Sequence, residues 1–310
     1  MKSIVRVRIP ATSANLGPGF DCLGCALQMY NIIELQINPP GQKEKLHISI
    51  DGYGKDSLPR GKDNLVYKVI QDYFKQKNFI WKTMRLKNIN RIPLARGLGS
   101  SAAARVGGLC AARELCAGTE EDSRLLETAA EDEGHADNVV PALYGGLCIT
   151  RRDKQHILWW KEKIAQDLCA VVVIPDFEIK TSHARRLVPL NYARNTAVYT
   201  TSNAAFFVSA VTADPSERRD AIIKHAMKDK FHQPYRKHLI SGMQNVFTAA
   251  EESGALGVAL SGSGPSIIAI AGDAGNKDAI GRAMVNAFKK NNITSIYQIL
   301  EFDQEGAHIL

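Results

Sequence analysis

The chain has 310 residues, 45% hydrophobic and 23% charged, a globular composition with enough length for two compact units. Its net charge of +7 is carried by lysines and arginines scattered among acids; the longest basic pieces, Arg151-Arg152 and Lys289-Lys290, are short. This speaks against a contiguous basic stripe for nucleic acid and fits a mild positive field for anionic small molecules.

Ile4 to Ile9 alternates apolar and basic residues, which predicts a strand with Val5, Val7 and Ile9 inward rather than a signal peptide. A polar, glycine-rich loop follows from Pro10 to Asp21. Leu27 to Ile37 and Leu46 to Ile50 read as strands joined by a Pro-Pro-Gly turn. Asp63 and Asn64 are expected to cap a helix whose apolar stripe is Leu65, Val66, Val69, Ile70, Tyr73 and Phe74. Trp81 to Leu86 is predicted as another strand. Gly97 and Gly99 then precede Ser100, Ser101 and an alanine run, so a helix is expected to start there, with Ser100 as its cap. That helix is apolar nearly all round to Cys116 and should be buried. A further helix, Ser123 to Glu133, ends at a polar knot, Glu131 to Asn138. Tyr144 to Thr150 reads as turn and strand. Arg151 to Gln166 reads as a charged connection between domains.

Leu168 to Ile174 is a buried strand by pattern. Helices are predicted near Asn195–Val211, Ser216–Met227 and His238–Glu252. The uncharged run Ala255 to Gly272 is broken by Ser-Gly-Ser-Gly-Pro, so it reads as two short strands and a turn, not a membrane span. An amphipathic helix, Asp278 to Lys290, and a strand, Ser295 to Leu300, complete a β-α-β-β-α-β order, which is ferredoxin-like. Cys22 and Cys25 form one C-x-x-C without a second pair or nearby histidine, so free thiols are expected rather than zinc.

Three polar or glycine-rich segments lie in apolar frames: Ala11–Asp21, Pro93–Ala104 and Ser261–Ser266. Such backbone needs partners, and three together suggest a ligand site. Gly97-Leu-Gly99-Ser-Ser opening a helix suits a phosphate, because the first helical amides lack partners and carry the positive dipole end. An ordinary loop before a capped core helix explains the same residues. The loop is not a Walker A sequence. It matches a loose G-x-G-x-x-A, but no acid follows at the end of a second strand, which disfavours a nicotinamide site.

Pro93-Leu-Ala-Arg-Gly-Leu-Gly-Ser-Ser-Ala-Ala103 resembles the phosphate loop of the GHMP kinases. Ile9-Pro-Ala-Thr-Ser-Ala-Asn-Leu-Gly-Pro-Gly-Phe-Asp-Cys-Leu-Gly24 and Ala259-Leu-Ser-Gly-Ser-Gly-Pro-Ser266 are similar to that superfamily's first and third motifs. Adding Glu133-Gly-His-Ala-Asp-Asn-Val-Val-Pro-Ala-Leu-Tyr-Gly-Gly146, Thr181-Ser-His-Ala-Arg185 and His232-Gln-Pro-Tyr-Arg236 narrows the resemblance to the homoserine kinases, in order along nearly the whole chain.

The resemblance implies an α+β, two-domain GHMP kinase architecture. Residues 1–160 would form an N-terminal nucleotide-binding domain of ribosomal-protein-like fold, and 161–310 a ferredoxin-like domain that completes the substrate site. It implies a cytoplasmic enzyme using ATP and Mg²⁺ to phosphorylate L-homoserine, with no nucleic-acid or membrane partner, and allows a homodimer. The expected nucleotide contacts are Asn64, Pro93, Leu94, Ala95, Arg96, Gly97, Leu98, Gly99, Ser100, Ser101, Ala102 and Ala103. Ser101 and Glu133 match metal-binding positions, with Glu131 as the alternative if the alignment slips. Substrate contacts fall on Asn15, Asp21, His135, Thr181, Arg185, Arg236 and Gly262, the two arginines as the carboxylate clamp. By chemistry Asp21 suits the ammonium and Asn15 the hydroxyl; Ser101, Glu133 and Asn15 are the expected catalytic set. Asp137 and Asn138, close to His135, stay open as proton acceptors. The alternatives are a GHMP kinase for another small alcohol, such as mevalonate, or a non-catalytic nucleic-acid-binding protein.

Overall fold

The structure, a computed structural model, describes residues 3–39, 41–43, 45–119, 121–153, 156–272 and 276–310. Its first half contains β1 (Ile4–Asn15), β2 (Gly19–Ile37), β3 (Leu46–Gly52), α1 (Leu65–Gln76), β4 (Met84–Asn90), α2 (Ser100–Leu115), α3 (Asp122–Glu133), α4 (Val139–Tyr144), β5 (Leu147–Asp153) and β6 (His156–Glu162). β1 and β2 form a long hairpin. On its far side β2 pairs β4 through residues 32–37 and β5 through residues 23–25. β3 runs parallel to β4, and α1 supplies the crossover. Val5, Val7 and Ile9 point inward as the alternation predicted.

α2 packs on β1, β2 and α1 and is buried on nearly every side. Gly107 permits this, since a Cβ there would lie 2.4 Å from Ile9 Cδ1. Asn64 caps α1, accepting from the Tyr67 amide at 3.2 Å.

The second half holds β7 (Cys169–Pro175), α5 (Thr181–Arg186), α6 (Arg194–Val211), α7 (Glu217–Ala226), α8 (Gln233–Arg236), α9 (Met243–Glu252), β8 (Gly257–Leu260), β9 (Ile267–Ala271), α10 (Lys277–Lys290) and β10 (Ser295–Leu300). The sheet order β10-β7-β9-β8, antiparallel throughout, is the 4-1-3-2 arrangement of a ferredoxin-like fold. β7 is buried on both faces. Val171 and Val173 face the core under α9 and α10, while Ala170 and Val172 join the core shared with the first sheet. This explains its uninterrupted apolar run. After β10 the chain returns to the first sheet. The Gln28 amide donates to the Glu301 carbonyl at 2.9 Å, and β11 (His308–Ile309) pairs β1.

Four expectations are corrected. The Pro10–Asp21 loop is mostly hairpin, because Ala11–Ala14 ladder with Gly24–Leu27 and burial overrides their weak strand propensity. Arg151–Gln166 is not a connection: β5 and β6 pair along their length, and Trp159 stacks on Tyr144 at 4.1 Å while Trp160 stays exposed. The strand expected at Trp81–Leu86 lies at Met84–Asn90, where Met84, Leu86 and Asn88 alternate inward. The helix expected at His238–Glu252 begins only at Met243, after left-handed Gly242.

Candidate active site

The three polar segments meet at one cavity between the two sheets. The Ser261 hydroxyl donates to the Gly97 carbonyl at 2.7 Å and lies 2.8 Å from Ser13 Oγ. The Gly262 amide donates to the Ala14 carbonyl at 3.0 Å, and the Thr12 amide to the Leu98 carbonyl at 3.2 Å. Gly97 must be glycine: its φ is +76°, and a Cβ would sit 2.2 Å from the Ser261 carbonyl oxygen. Among the described residues eight non-glycines have positive φ, and Asn15, Leu16, Asp21 and Ala95 of these lie at the junction. Strain concentrated there marks a constrained site.

At one end of the cavity, α2 opens onto it. Gly99, in the left-handed region at φ +68°, caps the helix, and no side chain does. Ser100 is therefore the first helical residue, not the cap its sequence position suggested. The Ser101 hydroxyl donates to Glu133 Oε2 at 2.8 Å. Arg105, one turn further along α2, donates to the same oxygen through Nε at 2.7 Å. Glu131 is exposed and does not line the cavity, whereas Glu133 does. Among the described residues no three His, Cys, Asp or Glu side chains form a metal cage. One carboxylate and one hydroxyl beside a helix N-terminus fit Mg²⁺, which takes few protein oxygens and completes its shell with phosphate and water.

At the other end, Arg185 on α5 holds Asp21 in a two-bond ion pair, Nη1–Oδ2 2.6 Å and Nη2–Oδ1 2.8 Å. The hydrogen bond to Asp21 holds the Arg185 pKa above its ordinary value. Arg236 is 2% exposed, and among the described residues no carboxylate pairs with it. Its guanidinium donates to the carbonyls of Gly262 (3.0 Å) and Ala184 (3.4 Å) and to His232 Nδ1 (3.2 Å). Burial, with Arg185 nearby, pulls its pKa down to about 10. Asp21, Asp229 and Asp137 act on it only through space, so a buried cation with no ion-pair partner among the described residues lines the cavity.

Asn15 is used at both ends of its amide. Nδ2 donates to the Gly262 carbonyl at 2.8 Å, and Oδ1 accepts from the Asp21 amide at 3.0 Å. His135 Nδ1 lies 2.7 Å from Asp137 Oδ1. Burial opposes its protonation, but Asp137 and Glu133 outweigh that and raise its pKa. Thr181 Oγ1 lies 3.3 Å from Ser263 Oγ at the rim. The Asn138 side chain is held by the Thr12 hydroxyl at 2.8 Å.

Of the expected nucleotide contacts, Ala95, Arg96, Gly97, Leu98, Gly99, Ser100 and Ser101 line the cavity. Asn64 does not; its amide is spent on the α1 cap and the Pro59 carbonyl. Pro93 and Leu94 line a second cleft with Tyr53, Gly54 and Ser57, which shares Arg96 with the cavity. The Arg96 guanidinium reaches the carbonyls of Pro175 (2.8 Å) and Asp176 (2.7 Å) and so fastens the loop to the second sheet. Ala102 and Ala103 are wholly buried in the core. Arg105 escaped the sequence reading, although its i+4 spacing from Ser101 places both on one helix face. Phe20 also escaped: its ring centroid lies 5.5 Å from Arg185 Cζ and 5.2 Å from Arg236 Cζ.

Residues 64–146 match the GHMP kinases N terminal domain and residues 210–290 the GHMP kinases C terminal domain. The chain is 38% identical over 310 residues to a homoserine kinase of Synechococcus, covering 98% of this chain and 97% of the relative. It is 41% identical to a homoserine kinase of Carboxydothermus hydrogenoformans over 92% of this chain and 90% of the relative. The crystal structure of homoserine kinase from Cytophaga hutchinsonii superposes with a TM-score of 0.87 at 32% identity, covering 100% of this chain and 98% of that one. A mevalonate kinase of L. major shares the fold at 17% identity, with a TM-score of 0.67 and coverage of 99% of this chain and 97% of that one. The chain belongs to the homoserine kinase family of the GHMP kinases.

Proposed function

We propose that the chain transfers the γ-phosphoryl group of ATP to the side-chain hydroxyl of L-homoserine, giving O-phospho-L-homoserine on the route to threonine. The observation that carries this reading is the polarity of the cavity. A helix N-terminus with Ser101 and Glu133 lies at one end, and Asp21, Arg185 and Arg236 lie at the other. A zwitterionic alcohol has the charges the second end would neutralise. A sugar needs no paired arginines.

In this reading the amides that open α2 and the backbone of Gly97–Gly99 receive the phosphates. The nucleoside lies toward the cleft at Pro93 and Leu94. Ser101 and Glu133 would hold Mg²⁺, which when bound would supply charge neutralisation for the phosphates. Arg185 and Arg236 clamp the substrate carboxylate, and Asp21 takes the ammonium. Asn15, fixed by Gly262 and the Asp21 amide, has one N–H left to orient the hydroxyl. Transfer is in line, driven by positioning and charge neutralisation, without a covalent enzyme intermediate. Residues 1–160 then carry the nucleotide and residues from 161 the substrate clamp. The six free thiols support a reducing, cytoplasmic setting.

The test is ADP release with MgATP and L-homoserine, mevalonate, galactose or shikimate. Turnover is expected with homoserine alone. Comparable turnover with another alcohol overturns the assignment.

A further inference from the structure

His232 begins the turn that leads into α8, and it is fully buried. Its Nε2 lies 2.8 Å from the Gly17 carbonyl oxygen. A carbonyl only accepts, so Nε2 carries the ring proton. Nδ1 then presents a lone pair, and Nδ1 is the atom 3.2 Å from Arg236 Nη1, which only donates. Two one-way partners therefore select one tautomer.

The surroundings hold this arrangement still. Asp229 is the acid facing the ring, with Oδ2 3.5 Å from Nε2. Its oxygens already accept the amides of Phe231 (2.6 Å), His232 (2.9 Å) and Gln233 (2.7 Å), which shapes the entry to α8. A second ring proton would sit on Nδ1, directly against the Arg236 guanidinium. Burial acts the same way, drawing the His232 pKa down to about 4. Gly17 is itself wedged: a Cβ there would lie 2.3 Å from the Met227 carbonyl oxygen. The Phe20 ring completes the setting, 5.3 Å from the His232 ring.

We propose that His232 is a positioning residue for the substrate clamp: as a neutral Nε2–H imidazole it ties Arg236 to the Gly17 turn and aims the guanidinium at the substrate carboxylate. The side-chain bonds of Arg236 run from Nε and Nη1, which leaves Nη2 for that carboxylate. The proposal rests on Arg236 being part of the clamp.

His232→Gln keeps a donor near the Gly17 carbonyl and deletes the acceptor for Arg236. His232→Asn keeps an acceptor near the Nδ1 position. Losing a buried hydrogen bond to a charged group is expected to raise the KM for homoserine about tenfold in His232→Gln, with the KM for ATP unchanged. His232→Asn should restore most of the homoserine affinity. A homoserine KM within about twofold of wild type in His232→Gln, or a parallel rise for ATP, overturns the proposal. If both variants fail to fold, nitrogen NMR of the wild-type imidazole decides. The Nε2–H tautomer supports the role, and an Nδ1–H tautomer overturns it. Arg236→Lys is measured alongside. If it loses homoserine affinity while His232→Gln does not, only the role of His232 falls. If neither does, the assignment of Arg236 to the clamp falls first and this proposal with it.

Discussion

Arg185 and Asp21, 164 positions apart in the chain, hold each other through two parallel hydrogen bonds across the cavity. L-Homoserine carries the same two charges. Its carboxylate would meet Arg185 where Asp21 now sits, and its ammonium would meet the released Asp21. Binding in this reading exchanges an internal ion pair for two external ones, without leaving either protein charge bare.

Arg185→Lys tests the exchange. A lysine is a point charge and cannot make the two-bond fork, so the KM for homoserine should rise about tenfold or more while the KM for ATP stays put. Stability should change by less than about 1 kcal/mol, because the pair is 41% and 36% exposed and screened by solvent. Steady-state kinetics and a thermal melt read both. Unchanged homoserine kinetics would remove Arg185 from the clamp.

Ser101→Ala separates a metal and phosphate ligand from a helix cap. Gly99 already caps α2, so the substitution should shift stability by no more than about 0.5 kcal/mol. Turnover should fall roughly 10²-fold, the scale of one lost electrostatic contact to a transferring group. A large drop in melting temperature with near-normal turnover would reverse the assignment.

His135 gives a pH signature. Its pKa in the folded protein is raised, since Asp137 and Glu133 overcome the burial that opposes charging. A raised pKa means that the stabilisation is full below the ordinary histidine value, about 6.5, and fades as pH rises through the folded value. The melting-temperature advantage of wild type over His135→Gln should therefore be larger at about pH 6 than at about pH 9. An advantage that grows with pH would contradict the charge arrangement.

How far the site could be read from the sequence varies with distance along the chain. The three site segments were legible because each is polar or glycine-rich inside an apolar frame, although the first of them is mostly hairpin, and the first sheet's opening strand followed from simple alternation. The Arg185–Asp21 pair was not legible as a pair, since nothing local couples residues so far apart. Asn64 was ambiguous in the sequence, because a helix cap and a ligand contact call for the same side chain, and it does cap α1. β6 was hidden by its composition, because an edge strand with Trp159 packed and Trp160 exposed between charged residues reads as surface connection. The role of His232 depends on which ring nitrogen faces which partner, and only three-dimensional geometry supplies that.

Gly97→Ala tests whether the phosphate loop and the Ser261–Ser266 turn form one unit. The new Cβ would collide with the backbone at Ser261 and require a left-handed alanine, so both segments must move apart. The cost should be at least about 1–3 kcal/mol. Because Gly262 also carries Asn15 and Arg236, affinity for ATP and for homoserine should fall together. Loss of ATP affinity alone would show that the two ends of the cavity are mechanically independent.

The buried, unpaired charge of Arg236 makes a prediction about ligands rather than variants. An arginine 2% exposed and facing the cavity is stabilised by any ligand that brings it a carboxylate. A ligand bound only to the folded state raises stability by about 2.7 kcal/mol at one hundred times its Kd. L-Homoserine should therefore raise the melting temperature of the protein without nucleotide. 3-Aminopropan-1-ol keeps the hydroxyl and ammonium but lacks the carboxylate, and it should give little or no shift at the same concentration. In Arg236→Met the homoserine shift should disappear, because the apolar side chain has nothing to exchange for the carboxylate's hydration. Equal shifts from the two ligands in wild type would place the recognition on Asp21 alone and leave Arg236 without a ligand to explain its burial.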